Sequence, residues 1–129
     1  MTTPTTSAHA ARRSPTTPTE PVDLAALGGD LLTEAADLAS GRTARTLTPG
    51  AGSPLKQTLL ALRAGAHLQE HVAPGPASLL VLDGEVALVV GADRQELAKG
   101  TWLPIPREAH ELEAVTDAVA LITVAADPS

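Results

Sequence analysis

The sequence predicts an all-β domain, a sandwich or barrel of short strands that follows a short helix. From Lys56 onward, short apolar runs alternate with turn-forming residues, and no interval between turns is long enough for a helix of ordinary length. Hydrophobic residues make up 43% of the 129 residues and are nearly all aliphatic, with Trp102 as the one aromatic side chain. Branched aliphatic side chains are typical of the interior of a small β-barrel. A helical repeat of apolar residues occurs once, before residue 42.

The chain divides into three predicted parts. Residues 1–20 are rich in Thr, Pro and Ser and have no apolar periodicity, so we expect them to form a disordered tail. Residues 21–41 are predicted to hold the N-terminal helix, and residues 42–126 to form the barrel domain. A chain of 129 residues has room for one ordinary domain.

The predicted helix has one apolar face, formed by leucines and alanines at three- and four-residue spacing from Leu24 to Ala39. Asp23 is placed to cap its N-terminus, and Gly41 is placed to end it in a left-handed conformation. The apolar face either covers the open side of the barrel, which is the interpretation we favour, or docks a partner.

Turn signals divide the β region. Residues 43–47 are predicted to form a short edge strand. Asp83-Gly84 separates two apolar runs and favours the positive dihedrals of a type I′ turn, which predicts a tight hairpin. Gly91, Ala92 and Asp93 predict the next reversal of the chain.

Charge and composition exclude several classes of function. The net charge of −6, with nine basic residues against fifteen acidic ones, argues against a nucleic-acid partner. The chain has no cysteine, which excludes disulfides and thiolate metal sites. No stretch is apolar for long enough to cross a bilayer, and no secretory signal is present. We therefore expect a cytoplasmic protein with no membrane partner.

Two sets of glycine, proline and histidine stand at defined spacing in the β region. Gly65 is followed by five residues and then by His71. Gly100 is followed by five residues and then by Pro106, with His110 four residues further on. The segment EVALVVGADRQELAK between the two sets is suited to a β-hairpin.

These two sets, in this order, resemble the motifs of the cupin superfamily, and in particular those of small single-domain bacterial cupins with an RmlC-like barrel. The resemblance covers about residues 43–125 and implies a double-sheet jelly-roll barrel. In the first motif, Ala73 stands where the family has a second His, and Ala77 where it has a Glu. In the second motif, Glu108 replaces a Gly, and His110 comes one residue early.

The resemblance implies a metal site of three His and one Glu that point into the barrel. Of these, His71 and His110 are present, and two imidazoles alone make a weak site. His67 and Gln69 share the strand parity of His71 and could face the same side. His67, His71 and His110 would then form a three-nitrogen site for Fe, Mn, Ni or Zn. The alternative, which we favour, is that His71 and His110 are hydrogen-bonded interior residues, so no cofactor is certain.

Two functions of different classes follow. A small-molecule-binding module would use His71 and His110 as polar anchors in the barrel cavity, with Gln69 and Trp102 as further contacts. A metal-dependent oxygenase or isomerase would instead use His67, His71 and His110. For Trp102, simple packing in the aliphatic core is the alternative that we favour. We also expect a homodimer, in one arrangement joined through paired edge strands.

Overall fold

The computed structural model describes residues 20–48, 52–71 and 75–125, and of Glu70 and His71 it describes the backbone alone. In these ranges one helix, α1, spans Leu24–Ala36. The strands that follow are β1 (Arg42–Thr46), β2 (Leu55–Leu62), β3 (His67–His71), β4 (Ala77–Asp83), β5 (Glu85–Val90), β6 (Asp93–Ala98), β7 (Trp102–Ile105), β8 (His110–Ala114) and β9 (Ala118–Ala125). The predicted all-β fold with a short N-terminal helix is confirmed. Residues 1–19 of the predicted tail lie outside the described ranges.

The strands form two antiparallel sheets. The five-stranded sheet has the order β1-β2-β9-β4-β7, and the four-stranded sheet has the order β3-β8-β5-β6. Strands that are neighbours in sequence therefore often lie in different sheets. This arrangement is the double-sheet jelly-roll barrel that the motifs imply.

The hydrophobic core lies between the inner faces of the two sheets, and its members among the described residues are all aliphatic. Its members alternate along each strand with residues of the opposite face, as the pleat of a strand requires. The largest fully buried side chains of this core are Leu62, Leu79, Val81 and Val86. The expectation of a barrel filled by branched aliphatic residues is confirmed.

The helix packs on the outer face of the five-stranded sheet, not over an open side of the barrel. Leu31 joins Leu59, Ala61 and Val119 in a second, smaller core cluster. Asp23 caps the helix as predicted, because its Oδ1 accepts hydrogen bonds from the main-chain N–H groups of residues 25 and 26. The helix ends at Ala36, five residues before Gly41.

Two adjacent glycines in the helix face different surroundings. A Cβ atom on Gly28 would lie 3.0 Å from Cγ1 of Val119, whereas a Cβ on Gly29 would meet nothing within 4 Å. Gly28 therefore lets the helix backbone approach the sheet closely, at the cost in helix propensity that glycine carries.

The prediction of a tight hairpin at Asp83-Gly84 is wrong. β4 pairs with β7 and β9, whereas β5 pairs with β6 and β8, so the chain passes from one sheet to the other at this point. Gly84 does adopt the positive φ that the sequence indicated, at 74°. Thr116 stabilises the corner, since its Oγ1 accepts a hydrogen bond from the N–H of Glu85 at 3.0 Å.

The other turn prediction is confirmed, because Val90 pairs with Asp93 across a two-residue loop and Gly91 has a φ of 58°. Residues 43–47 were predicted as an edge strand, and β1 is an edge strand of the five-stranded sheet. Among the described residues, no helix is both long and apolar enough to pass through a bilayer.

Candidate ligand-binding site

Strands β3 and β8 bring the two motif histidines to one place in the fold. His71 and His110 are partners in the β3–β8 ladder, and Leu68 is the partner of Leu112. The register shifts between Leu68 and His71, which marks a β-bulge or a comparable irregularity. The backbone thus holds His71 and His110 side by side at one end of the four-stranded sheet.

His110 is the buried polar side chain of this region. It is 3% exposed and lies on the inner face of β8, in alternation with Glu111 on the outer face. Its Nδ1–H donates to the main-chain carbonyl of Glu108, with 3.0 Å between the two atoms. Because a carbonyl oxygen only accepts hydrogen bonds, Nδ1 is the nitrogen that carries the hydrogen in this bond.

His67 and Gln69 lie on the outer face of the same sheet. His67 Nδ1 is 3.2 Å from Oε2 of Glu111, and the histidine side chain is 50% exposed. Gln69 is also exposed and lines shallow surface clefts with Glu111. The expectation that strand parity brings His67 and Gln69 to the inner face is wrong, because the register shift interrupts the alternation before His71. The structure does not bring His67 together with His110.

A cleft of about 500 Å³ opens between the β5–β6 hairpin and β7. Its apolar wall comes from inner-face residues of both sheets, and its rim is polar. The lining consists of Leu88, Val90, Asp93, Arg94, Gln95, Leu103, Pro104, Pro106 and Glu108. The residue whose carbonyl receives the His110 hydrogen bond is thus part of the cleft wall.

Trp102 is 59% exposed, so the interpretation that it packs in the core is wrong. It is the partner of Leu80 in the β4–β7 ladder. Leu103, the next residue, packs against the core and lines the cleft, so the pleat places Trp102 on the outer face of the five-stranded sheet. Trp102 does not line the cleft.

A charged network covers the outer face of the four-stranded sheet. The Arg94 guanidinium donates a hydrogen bond to Oε1 of Glu113, and its Nε lies 3.5 Å from Oε2 of Glu96. This hydrogen bond lowers the pKa of the Glu113 carboxyl below its ordinary value and is the largest cause that raises the pKa of Arg94.

The comparisons with known proteins bear on the fold. No protein-family model and no curated protein matches the chain. An RmlC-like cupin from Desulfovibrio desulfuricans is similar in structure, with a TM-score of 0.57 and 26% identity over 65% of this chain and 81% of that chain. The fold is that of the cupin superfamily.

Two other solved structures share this cupin fold. A conserved protein of unknown function from Streptococcus pyogenes has a TM-score of 0.66 and 22% identity, over 86% of this chain and 90% of that one. Salicylate 1,2-dioxygenase from Pseudaminobacter salicylatoxidans has a TM-score of 0.65 and 22% identity. That match covers 78% of this chain but only 33% of the dioxygenase, so these two likenesses establish the fold alone.

The residues of this cupin do not fit the four-ligand metal centre that the family motifs imply. Ala77 begins β4 and packs its methyl group against the inner core, where the motif has a Glu. Ala73, at the second His position, has no ligating atom and lies outside the described residues. In the ranges that the structure describes, no three His, Asp or Glu side chains are grouped to hold a metal ion. Two imidazoles are fewer than the three protein ligands that catalytic metal sites use.

Sequence reasoning missed the walls of the cleft. In the sequence, nothing distinguishes Leu88 and Val90 from other strand residues. Leu103 and Pro104 fall within the second cupin motif. Their approach depends on how β7 of one sheet meets the β5–β6 hairpin of the other, and local sequence carries no signal of that packing.

Proposed function

We propose that this chain is a small-molecule-binding cupin whose ligand occupies the cleft between the β5–β6 hairpin and β7. In this proposal His110 lies behind the cleft wall, where its Nδ1–H donates to the main-chain carbonyl of the lining residue Glu108, and no tightly held metal takes part. The cleft itself is the observation that carries the proposal. Its volume of about 500 Å³ lies within the range of about 300–1,000 Å³ that is usual for small-molecule sites.

The chemistry of the cleft lining supports an organic ligand with one apolar part. Leu88, Val90 and Leu103 offer an aliphatic surface that would exclude water from such a ligand. Asp93, at the rim, offers a carboxylate for a ligand donor. Apolar walls with a few polar groups are the usual composition of a binding site.

His110 supports the same proposal from the inside. Its orientation is held by the hydrogen bond to Glu108, so the imidazole is fixed before a ligand arrives. The same bond holds the Glu108 carbonyl in the cleft wall, and a wall that is fixed before binding loses less conformational entropy when a ligand binds.

The second candidate is a metal-dependent cupin enzyme, an oxygenase or isomerase. The pairing of His71 with His110 across β3 and β8 favours it, since neighbouring imidazoles are common metal ligands. His67 does not support this candidate, because it contacts Glu111 on the outer face. A metal on two histidines would need further ligands from water or substrate.

A screen of small organic molecules by ligand-observed NMR tests the proposal, with Val90→Phe as the variant that fills the cleft. Val89→Phe is the matched control, because Val89 is the adjacent residue on the opposite face of β5. We expect hits that bind the parent and Val89→Phe but not Val90→Phe. Hits that bind Val90→Phe equally well, or the absence of any hit, would contradict the proposal. Near-stoichiometric metal in untagged protein, measured by elemental analysis, would favour the enzyme.

A further inference from the structure

The charged residues that line the ligand cleft are mostly acidic. Asp93 and Glu108 each bring a carboxylate, and Arg94 brings a guanidinium. Asp93 begins β6, whereas Glu108 lies between β7 and β8, so the two carboxylates come from separate segments of the chain that meet at the cleft. Both residues are exposed and so are accessible to a ligand.

The strand register places the Asp93 side chain on the cleft face of the β5–β6 hairpin. Asp93 pairs with Val90, and residues directly opposite each other in an antiparallel pair lie on the same face. Val90 packs against the inner core and lines the cleft. Gln95 pairs with Leu88 on this same face and also lines the cleft. The hairpin therefore presents a carboxylate and an amide beside its aliphatic residues.

The guanidinium of Arg94 is held on the other face of the hairpin. It donates a hydrogen bond to Glu113 and lies 3.5 Å from the carboxylate of Glu96, so two acidic groups balance its charge. Within the described ranges, by contrast, neither Asp93 nor Glu108 forms an ion pair or accepts a hydrogen bond at its side chain. Their negative charge is thus available to a ligand in the cleft.

We propose that the cleft selects a cationic ligand, a primary organic amine with a hydrocarbon part. This inference rests on the proposed function and assigns the ligand class of that same cleft. An ionised carboxylate only accepts hydrogen bonds, so the group that meets Asp93 and Glu108 must donate them, and a primary ammonium group has three donors. The hydrocarbon part lies on the aliphatic wall of Leu88, Val90 and Leu103.

Charge favours an ammonium group over a neutral donor of the same shape. A cleft with charge of one sign and apolar walls focuses the electrostatic field and raises the local concentration of ions of the opposite sign. The net charge of −6 on the chain adds to this attraction for a cation. A carboxylate or phosphate ligand would instead be repelled by both Asp93 and Glu108.

Three probes with the same alkyl chain test the ligand class: hexylamine, hexanol and hexanoate. Protein-observed NMR titration of the full chain at neutral pH measures the Kd of each. We expect hexylamine to bind about 10-fold more tightly than hexanol, as two exposed charge pairs allow, and hexanoate to bind more weakly than either. Sodium chloride at about 1 M should remove most of this preference, because the screening length is then about 3 Å.

Matched variants assign the preference to the two carboxylates. Asp93→Asn and Glu108→Gln each remove a charge and keep the shape of the side chain, so each should lower the preference for hexylamine over hexanol by about 3-fold. Asp30→Asn is the control, because it makes the same change in net charge at an exposed residue of α1. It should leave the preference unchanged. An equal loss in Asp30→Asn and Asp93→Asn would overturn the assignment.

Val90→Phe separates failure of the ligand class from failure of the proposed function. It fills the cleft, so it should abolish the binding of hexylamine and of hexanol. If Val90→Phe abolishes binding but hexanol or hexanoate binds the parent as tightly as hexylamine does, the ligand class is wrong and the cleft remains a binding site. If Val90→Phe binds hexylamine as tightly as the parent does, the amine binds elsewhere and both proposals are wrong.

Discussion

A side chain on Gly84 would overlap the main-chain oxygen of Asp117. The same added Cβ would lie 2.8 Å from Oγ1 of Thr116 and 2.9 Å from Cα of Ala118. The corner at which β4 passes into β5 is therefore closed by the turn that connects β8 to β9. Two requirements coincide at this residue, a positive φ and the absence of any side chain.

Gly84→Ala should destabilise the protein by more than about 3 kcal/mol, because left-handed strain and a main-chain overlap add together. Gly91→Ala is the matched control, with a similar φ of 58° but nothing within 4 Å of the added atom. It should cost only about 1–2 kcal/mol, the strain alone. Urea denaturation of both variants measures the difference, and equal losses would show that the corner tolerates a side chain.

The two helix glycines should respond in opposite ways to alanine. Gly29→Ala should raise the free energy of unfolding by about 0.5–1 kcal/mol, since its new methyl group meets open space. Gly28→Ala should lower it, because the methyl group would press on Val119 and overpacking costs about 1–3 kcal/mol. Thermal or urea unfolding of the two variants beside the parent measures both changes in the free energy of unfolding. A stabilised Gly28→Ala protein would mean that the helix moves away from the sheet at little cost.

The Glu113 carboxyl should titrate below its ordinary range, because Arg94 donates a hydrogen bond to its charged form. A folded-state pKa below the unfolded value contributes stability above the unfolded pKa, and this is lost as the pH falls through the folded pKa. Arg94→Gln should therefore raise the pKa of Glu113 and destabilise the fold at neutral pH more than in strong acid. Carboxyl NMR titration measures the pKa, with Arg45→Gln as a control on the looser pair with Glu34. An unchanged pKa in Arg94→Gln would refute this account.

Added Zn²⁺ or Ni²⁺ should stabilise the parent protein little. Stabilisation follows RT ln(1 + [L]/Kd), so millimolar metal against a millimolar Kd gives about 0.4 kcal/mol. Ala73→His combined with Ala77→Glu should tighten binding in titration calorimetry, because the spacing of the family motif is already present. His67→Ala should bind as the parent does, since His67 lies on the outer face. If the parent binds metal tightly and His67→Ala abolishes that binding, the prediction is wrong and His67, His71 and His110 form a three-nitrogen metal site.

Asp83-Gly84 shows what local sequence can predict about the fold and what it cannot. The dipeptide correctly indicated a positive φ at Gly84, but Asp83 does not have the positive φ that a type I′ turn also requires. A positive φ at one glycine is compatible with a passage between sheets as well as with a hairpin, and the partners of the flanking strands decide which of the two forms. Those partners lie far along the chain, beyond any local signal.

The inner histidines show a similar limit. Motif spacing alone predicted that His71 and His110 would come together, and the β3–β8 register pairs them. The prediction from strand parity that His67 faces the inside was wrong, because one register shift in β3 moves every later side chain to the other face. The prediction that Trp102 packs in the core rested on its apolar character, and it was wrong because a hydrophobic residue need not be buried.

The position of β9 has a consequence for the order in which the protein can assemble during synthesis. β9 is the last of the described strands, yet it lies at the centre of the five-stranded sheet, between β2 and β4. Until it has left the ribosome, the β1–β2 pair and the β4–β7 pair have no hydrogen-bonded connection to each other. The nascent chain therefore exposes two unfinished edges and the apolar inner face until the final strand is delivered, which makes this the interval of greatest risk for aggregation.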